Sequence, residues 1–186
     1  IGSGLVGSEM CIRDSSCIAY LDGEHPYAVF CRGYYTRTAL TAYSFKDGKL
    51  QEYWAFDTAD MENGSQYEGQ GDHQVSVNDI DNDGKDEIIY GSLVIDHDGT
   101  LKYCTGLGHG DALHVSDFVS WNPGLEIMQV HEHDNATYHV EIHDAATGKM
   151  LMGFYTGKDT GRGIAADVDP TYACLLYTSP SPRDRS

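Results

Sequence analysis

The sequence predicts an all-β fold, a partial β-propeller of about three blades. Three observations point there: a hairpin unit that occurs three times, a short acid-tipped strand that recurs with it, and no helical periodicity. The hairpin segments are TAYSFKDGKLQEYWAF, LVIDHDGTLKYC and VEIHDAATGKMLMGF, with turn glycines Gly48, Gly99 and Gly148. Each joins two strand-like runs through a tight reversal that needs positive φ, which glycine adopts cheaply. The interleaved strands are QVSVNDID, ALHVSDFV and GIAADVDP, ending on Asp79, Asp117 and Asp167. A four-stranded unit repeating at about fifty residues is the pattern of a propeller blade. A β-sandwich would supply strands and turns, but not a hairpin and an acid sharing one period. Three blades leave sheet edges bare, so the chain is expected to be part of a larger ring.

One loop carries an explicit metal pattern. In NDIDNDGKDEII, Asp79, Asp81 and Asp83 stand at alternate positions, Gly84 permits the reversal, and Glu87 closes the set. Calcium is a hard cation that takes six to eight oxygens, and this spacing supplies carboxylates with a backbone carbonyl from Lys85 between them. Without an ion, four carboxylates would repel one another across a single turn.

The ends read differently from the middle. Residues 1–15 and 174–186 resemble translated sequencing-adapter sequence and are set aside, leaving 16–173 as the propeller-blade segment. The formal net charge is −17. Such a surface repels nucleic acid and anionic membranes, and no basic run offers either a footprint. Cys17, Cys31 and Cys104 form no CxxC and no repeating spacing, which indicates neither a zinc site nor a disulfide framework.

Just before each short strand stands a glycine-flanked turn with a polar residue: GQGDHQV with His73, GLGHGDALH with His109 and Asp111, and GRGIAA with Arg162. In a propeller, equivalent loops of successive blades meet at one rim of the central channel, so His73, His109 and Arg162 are expected to face one pocket. VHEHDNATY adds Glu132, with His131 and His133 alternating around it onto the opposite strand face. Two imidazoles with two carboxylates suit a transition metal or, with water and substrate oxygens, calcium. There is no HExxH and no GxSxG, so neither a zinc hydrolase nor a serine triad is supported.

RGYYTRT (32–38), GDHQVSVNDIDNDGKDEIIYGS (71–92), TGLGHGDALH (105–114), VHE (130–132) and TGKDTGRG (156–163) resemble, in order, successive motifs of the rhamnogalacturonan lyases of polysaccharide lyase family eleven. The resemblance implies a secreted or cell-surface bacterial enzyme with an eight-bladed propeller that uses Ca2+. Its substrate would be the rhamnose–galacturonate backbone of pectin, cleaved by β-elimination. It implies further that His73, His109, Asp111 and Glu132 surround a calcium ion in the cleft, and that Arg162 is catalytic and contacts the uronate. A catalytic lysine of the family would lie beyond Ala173. SDFVSWNPGLE departs from the pattern, with Val119 and Ser120 where relatives carry an Asp and a polar neighbour, which puts a second calcium near Asp117 in question.

Tyr34, Tyr35 and Arg37 at a strand end are expected substrate contacts, since tyrosine offers a sugar both a flat face and a polar tip. The competing reading is a non-catalytic calcium propeller for adhesion or carbohydrate binding. Only the lyase requires His73, His109 and Arg162 to meet within reach of one uronate.

Overall fold

A computed structural model, describing residues 15–133 and 136–165, contains three four-stranded antiparallel sheets, each built from strands consecutive in sequence. The first holds β1 (Ser15–Ala19), β2 (Tyr27–Arg32), β3 (Ala39–Lys46) and β4 (Lys49–Asp57). The second holds β5 (Ser76–Asn78), β6 (Glu87–Tyr90), β7 (Leu93–Ile95) and β8 (Leu101–Cys104). The third holds β9 (Gly110–Ser116), β10 (Glu126–His131), β11 (Val140–Asp144) and β12 (Met150–Phe154). Among the described residues there is no α-helix, only 3-10 turns at Thr58–Asp60 and Gly64–Tyr67. None is long and apolar enough to cross a membrane.

The three predicted hairpins are the last two strands of their sheets. Their turn glycines take φ of 75° at Gly48, 87° at Gly99 and 71° at Gly148. Two of these turns also dock on the preceding sheet. A Cβ at Gly99 would lie 2.7 Å from the Trp54 ring, and one at Gly148 would lie 2.7 Å from the Tyr103 ring. Each aromatic then donates to a carbonyl beside the turn, Trp54 Nε1 to His97 O at 2.9 Å and Tyr103 Oη to Ala145 O at 2.7 Å. The same contact thus recurs between successive sheets, with an aromatic from β4 or β8 laid flat on the next hairpin.

Apolar layers fill the spaces between sheets, where removal of nonpolar surface from water stabilises the stack. Val29, Leu40 and Phe56 of the first sheet meet Ile88, Tyr90 and Ile95 of the second. Ile89 and Val94 of the second meet Leu113 and Ile127 of the third. The first strands of successive sheets, β1, β5 and β9, lie beside one another, which brings the loops that precede β5 and β9 together. β5 and β9 are the acid-tipped strands; β5 is half-buried rather than buried. Of the third such segment only 163–165 are described; Asp167 and the ends set aside, apart from Ser15 in β1, lie outside the described residues.

Candidate metal-binding cleft and acidic corners

The loops entering β5 and β9 meet through backbone pairing: Asp72 and Gly110 form a parallel bridge, and His73 N–H donates to Gly110 O at 3.4 Å. This brings His73 and His109 edge to face, with ring centroids 4.8 Å apart. Ligand atoms of His73, His109 and Asp111 all fall within 4.8 Å of one another. Glu132 Oε2 lies 3.3 Å from His109 Nε2, and Arg162 Nη1 lies 3.7 Å from Asp111 Oδ1. His73, Asp111 and Arg162 thus line one cleft of about 370 Å³ together with His114, and His109 and Glu132 adjoin it through the His73–His109 ring contact and the approach of Glu132 to His109.

The tautomer of His109 follows from its partners. Nδ1 is 2.7 Å from Gly71 O, a carbonyl that can only accept, so Nδ1 carries the proton. Burial lowers the His109 pKa and keeps the ring neutral. Nε2 then presents a lone pair toward the Glu132 carboxylate, buried and without a hydrogen-bond partner. A lone pair facing an anion at 3.3 Å is unfavourable unless a cation lies between them, so this donor set fits a metal ion.

Asp111 reaches the cleft through an irregularity in its strand. Against β10, Val130 pairs with Ala112 but His131 pairs with Gly110, so Asp111 is an extra residue. Such a bulge re-aims a side chain. Beneath it Asp72 is fully buried, accepting from Gln74 N–H at 2.8 Å and from Gln129 Nε2 at 3.3 Å. Burial, with the charge of Asp111 adding, pushes the Asp72 pKa up to about 7. Further in, Glu141 sits between His143 Nδ1 at 2.8 Å and His131 Nε2 at 3.8 Å, all three fully buried. Burial alone would raise the Glu141 pKa, and the two rings overcome it and hold the carboxyl below its ordinary value.

The acidic corner lies between β5 and β6. Asp79 accepts from Asp83 N–H and Gly84 N–H at 3.0 Å each, with Asn82 at φ 61° and Gly84 at φ 89° closing the loop. Asp79, Asp81 and Glu87 form one group with ligand atoms inside 4.8 Å, and Asp83, Glu87 and His97 form another. Glu87 is fully buried. Its Oε2 accepts from Ile80 N–H at 3.0 Å, while Oε1 has no partner. Burial pushes its pKa up to about 7. Lys102 Nζ reaches Asp81 at 2.7 Å and Asp96 at 3.1 Å. A buried carboxylate oxygen left free among three aspartates suits a hard cation.

The matching corner of the third sheet is closed differently. Glu126, first residue of β10 as Glu87 is of β6, accepts from Phe118 N–H at 2.6 Å and Val119 N–H at 2.9 Å through Oε2. Its Oε1 is taken by Asn122 Nδ2 at 2.8 Å, and the same amide nitrogen donates to Asp144 at 3.0 Å. Asp144 ends β11 where Asp96 follows β7. An amide group here bridges the two acids.

Of the three expected substrate contacts, Tyr34 is packed under the rim histidines, Tyr35 lies open beside them and Arg37 is engaged by Asp57. Tyr34 is 4% exposed, its ring packed beneath His73 and His109 at 4.2 and 5.3 Å. Its neighbour Tyr35 is 47% exposed and lies over His109 at 4.4 Å. Arg37 forks onto Asp57 through Nε at 2.8 Å and through Nη2. Lys85 turns its ammonium to His97 Nε2 at 2.8 Å. The expected alternation of His131 and His133 fails because β10 ends at His131: that ring is buried and His133 is exposed. Asp72, Gln129, His97 and Lys102 were not legible as site residues, since none stands in a spacing that marks it.

Fold and site together define a repeat-built all-β protein with a polar cleft and residues that could hold a metal ion. Residues 9–179 match the family described as rhamnogalacturonan lyase family 11, C-terminal domain, and the chain belongs to that family. It is 56% identical over 155 residues to the rhamnogalacturonan endolyase YesW of Bacillus subtilis (strain 168), covering 83% of this chain and 25% of that protein. It is 54% identical over 154 residues to the rhamnogalacturonan exolyase YesX of the same organism, with the same coverage. The crystal structure of exotype rhamnogalacturonan lyase YesX superposes with a TM-score of 0.82 at 52% identity, covering 86% of this chain and 26% of that one. The chain thus spans about a quarter of the length of the curated relatives it matches.

Proposed function

We propose that the chain is a segment of a rhamnogalacturonan lyase, in which its three sheets are successive blades of a larger propeller. What carries this is the clustering of His73, His109, Asp111, Glu132 and Arg162, drawn from four segments distant in sequence, at one cleft and its immediate border. The bare face of the first sheet, with Ile18, Phe30 and Phe45 exposed, accords with a further blade packed there in the complete protein. The substrate is the acidic rhamnogalacturonan backbone, and the protein acts outside the bacterial cell, where that polymer is found.

β-Elimination removes the C5 proton of galacturonate and expels the C4 oxygen, leaving an unsaturated uronide without consuming water. The neighbouring carboxylate opposes this, since its charge adds to that developing at C5. Calcium bound by His73, His109, Asp111 and Glu132 would offset that charge and let a protein of net charge −17 accept a polyanion. Arg162, with 76% of its side chain exposed, is free to turn from Asp111 to the uronate carboxylate and stabilise charge as it grows. Tyr35 offers an exposed ring beside the same histidines for a sugar face. Asp79, Asp81, Asp83, Glu87 and the Lys85 carbonyl would hold a structural calcium that stiffens the second sheet.

The complete protein should release a product absorbing in the unsaturated-uronide band from rhamnogalacturonan, and chelation should abolish it. Arg162→Ala should cut kcat/KM by roughly 100- to 1,000-fold. Full activity in chelator would reject the metal role, and an unchanged rate in the arginine variant would reject its assignment.

A further inference from the structure

We propose that Asp72 and Gln129 are a positioning pair: together they clamp Gly110, beside the bulge at Asp111, and so set the spacing between His73 and Asp111 across the cleft. This rests on the cleft being the cation site proposed above. The two residues come from different parts of the fold, Asp72 from the loop before β5 and Gln129 from the middle of β10, and both are fully buried. Gln129 Nε2 donates to Asp72 Oδ2 at 3.3 Å, while Asp72 Oδ1 takes Gln74 N–H at 2.8 Å. One carboxyl group thereby ties the chain on the far side of His73 to the strand that pairs with Asp111's own.

Gly110 lies in the grip of that pair. A Cβ there would stand 2.6 Å from Gln129 Nε2, 2.8 Å from Asp72 Oδ2 and 2.3 Å from Val130 O. The bridge between Asp72 and Gly110 and the His73 N–H bond to Gly110 O complete the clamp. Gly110 is the residue before Asp111, and the pairing skip at Asp111 turns its carboxylate toward His73 at 3.4 Å. A buried carboxyl contacting no cation destabilises a core that an apolar residue of like size would fill better. Its gain here is geometric: groups that orient ligands from behind are worth about 10- to 100-fold in metal affinity.

The test is calorimetric titration of the complete, metal-stripped protein with calcium chloride, using His109→Ala to identify the heat that belongs to the cleft. Gln129→Met, which removes the donor at similar volume, should weaken that component about 10- to 100-fold. Asp72→Asn combined with Gln129→Glu exchanges donor and acceptor, leaves an oxygen for Gln74 N–H, and should recover most of the loss. An unaltered cleft component in Gln129→Met would overturn the assignment. So would an exchanged pair no better than Gln129→Glu alone, the comparison to use if the methionine variant does not fold. A parent protein with no heat removed by His109→Ala would instead refute the cleft as a cation site, and the clamp would fall with it.

Discussion

In the second sheet Glu87 opens β6 and accepts one backbone N–H through Oε2, leaving Oε1 free beside Asp79 and Asp81. In the third sheet Glu126 opens β10 with the same kind of backbone bond, but its second oxygen is filled by Asn122, whose amide also reaches Asp144. Both corners must neutralise or satisfy a fully buried carboxyl at the start of a strand. One presents three further acids that could hold a cation; the other has Val119 and Trp121 in the alternate places and supplies its own donor. An amide costs no ion and answers to no chelator, but it satisfies only two acceptors, whereas an ion organises six or more oxygens.

The two corners should respond differently to substitution and to chelation. The largest effect is expected from Glu126→Ala, which strands two backbone N–H groups and the Asn122 amide; denaturant unfolding should show a loss of about 3 to 5 kcal/mol, equal with and without calcium. Chelation should come next, lowering the stability of the calcium-saturated complete protein by about 3 kcal/mol. Hydrogen exchange should then rise at Ile80 and Asp83 while Phe118 and Val119 stay protected, and Asp79→Asn should erase the difference between metal-loaded and metal-free protein. Equal loosening at both corners would remove the distinction.

Asn122→Leu should cost about 2 kcal/mol through the two acceptors it leaves open. Asn122→Asp sharpens the contrast: it should be destabilised in chelator and partly recovered by calcium, because it converts the third corner toward the second. Smallest are the pH effects, which should run in opposite directions. Glu87 has a folded pKa raised by burial to about 7 from 4.5, so in metal-free protein its contribution is present at low pH and lost as pH rises through about 7. Asp144 is the reverse: burial would raise its pKa, but Thr147 and Asn122 overcome this and lower it. Its contribution is present above the ordinary carboxylate range and lost on acidification. The differences in stability between the wild-type protein and Glu87→Gln or Asp144→Asn, plotted against pH, should have slopes of opposite sign.

Much of this was legible in the residues. The hairpins announced themselves because their turns, Asp-Gly at Gly48 and Gly99 and Thr-Gly at Gly148, leave little conformational choice, and the acid loop because like charges at alternate positions have few physical excuses. The meeting of His73, His109 and Arg162 followed from repeat symmetry, which converts a shared place in the unit into a shared place in space. What could not be read depends on which neighbour a fold delivers. Tyr34 and Tyr35 are chemically alike and adjacent, yet one is packed below the histidines and the other lies open above them. Asn122 in WNP reads as an ordinary turn residue until β11 brings Asp144 to its amide. The alternation expected of His131 and His133 assumed a strand one turn of pleat longer than the one that forms.

Gly110 touches neighbours on three sides closely enough that even a methyl group has nowhere to go. That makes it a sorting mark for distant cousins of this chain. A homologue that has drifted in its outer hairpins is expected to keep the alignment of imidazole and carboxylate, and one carrying a side chain at this position to lose it.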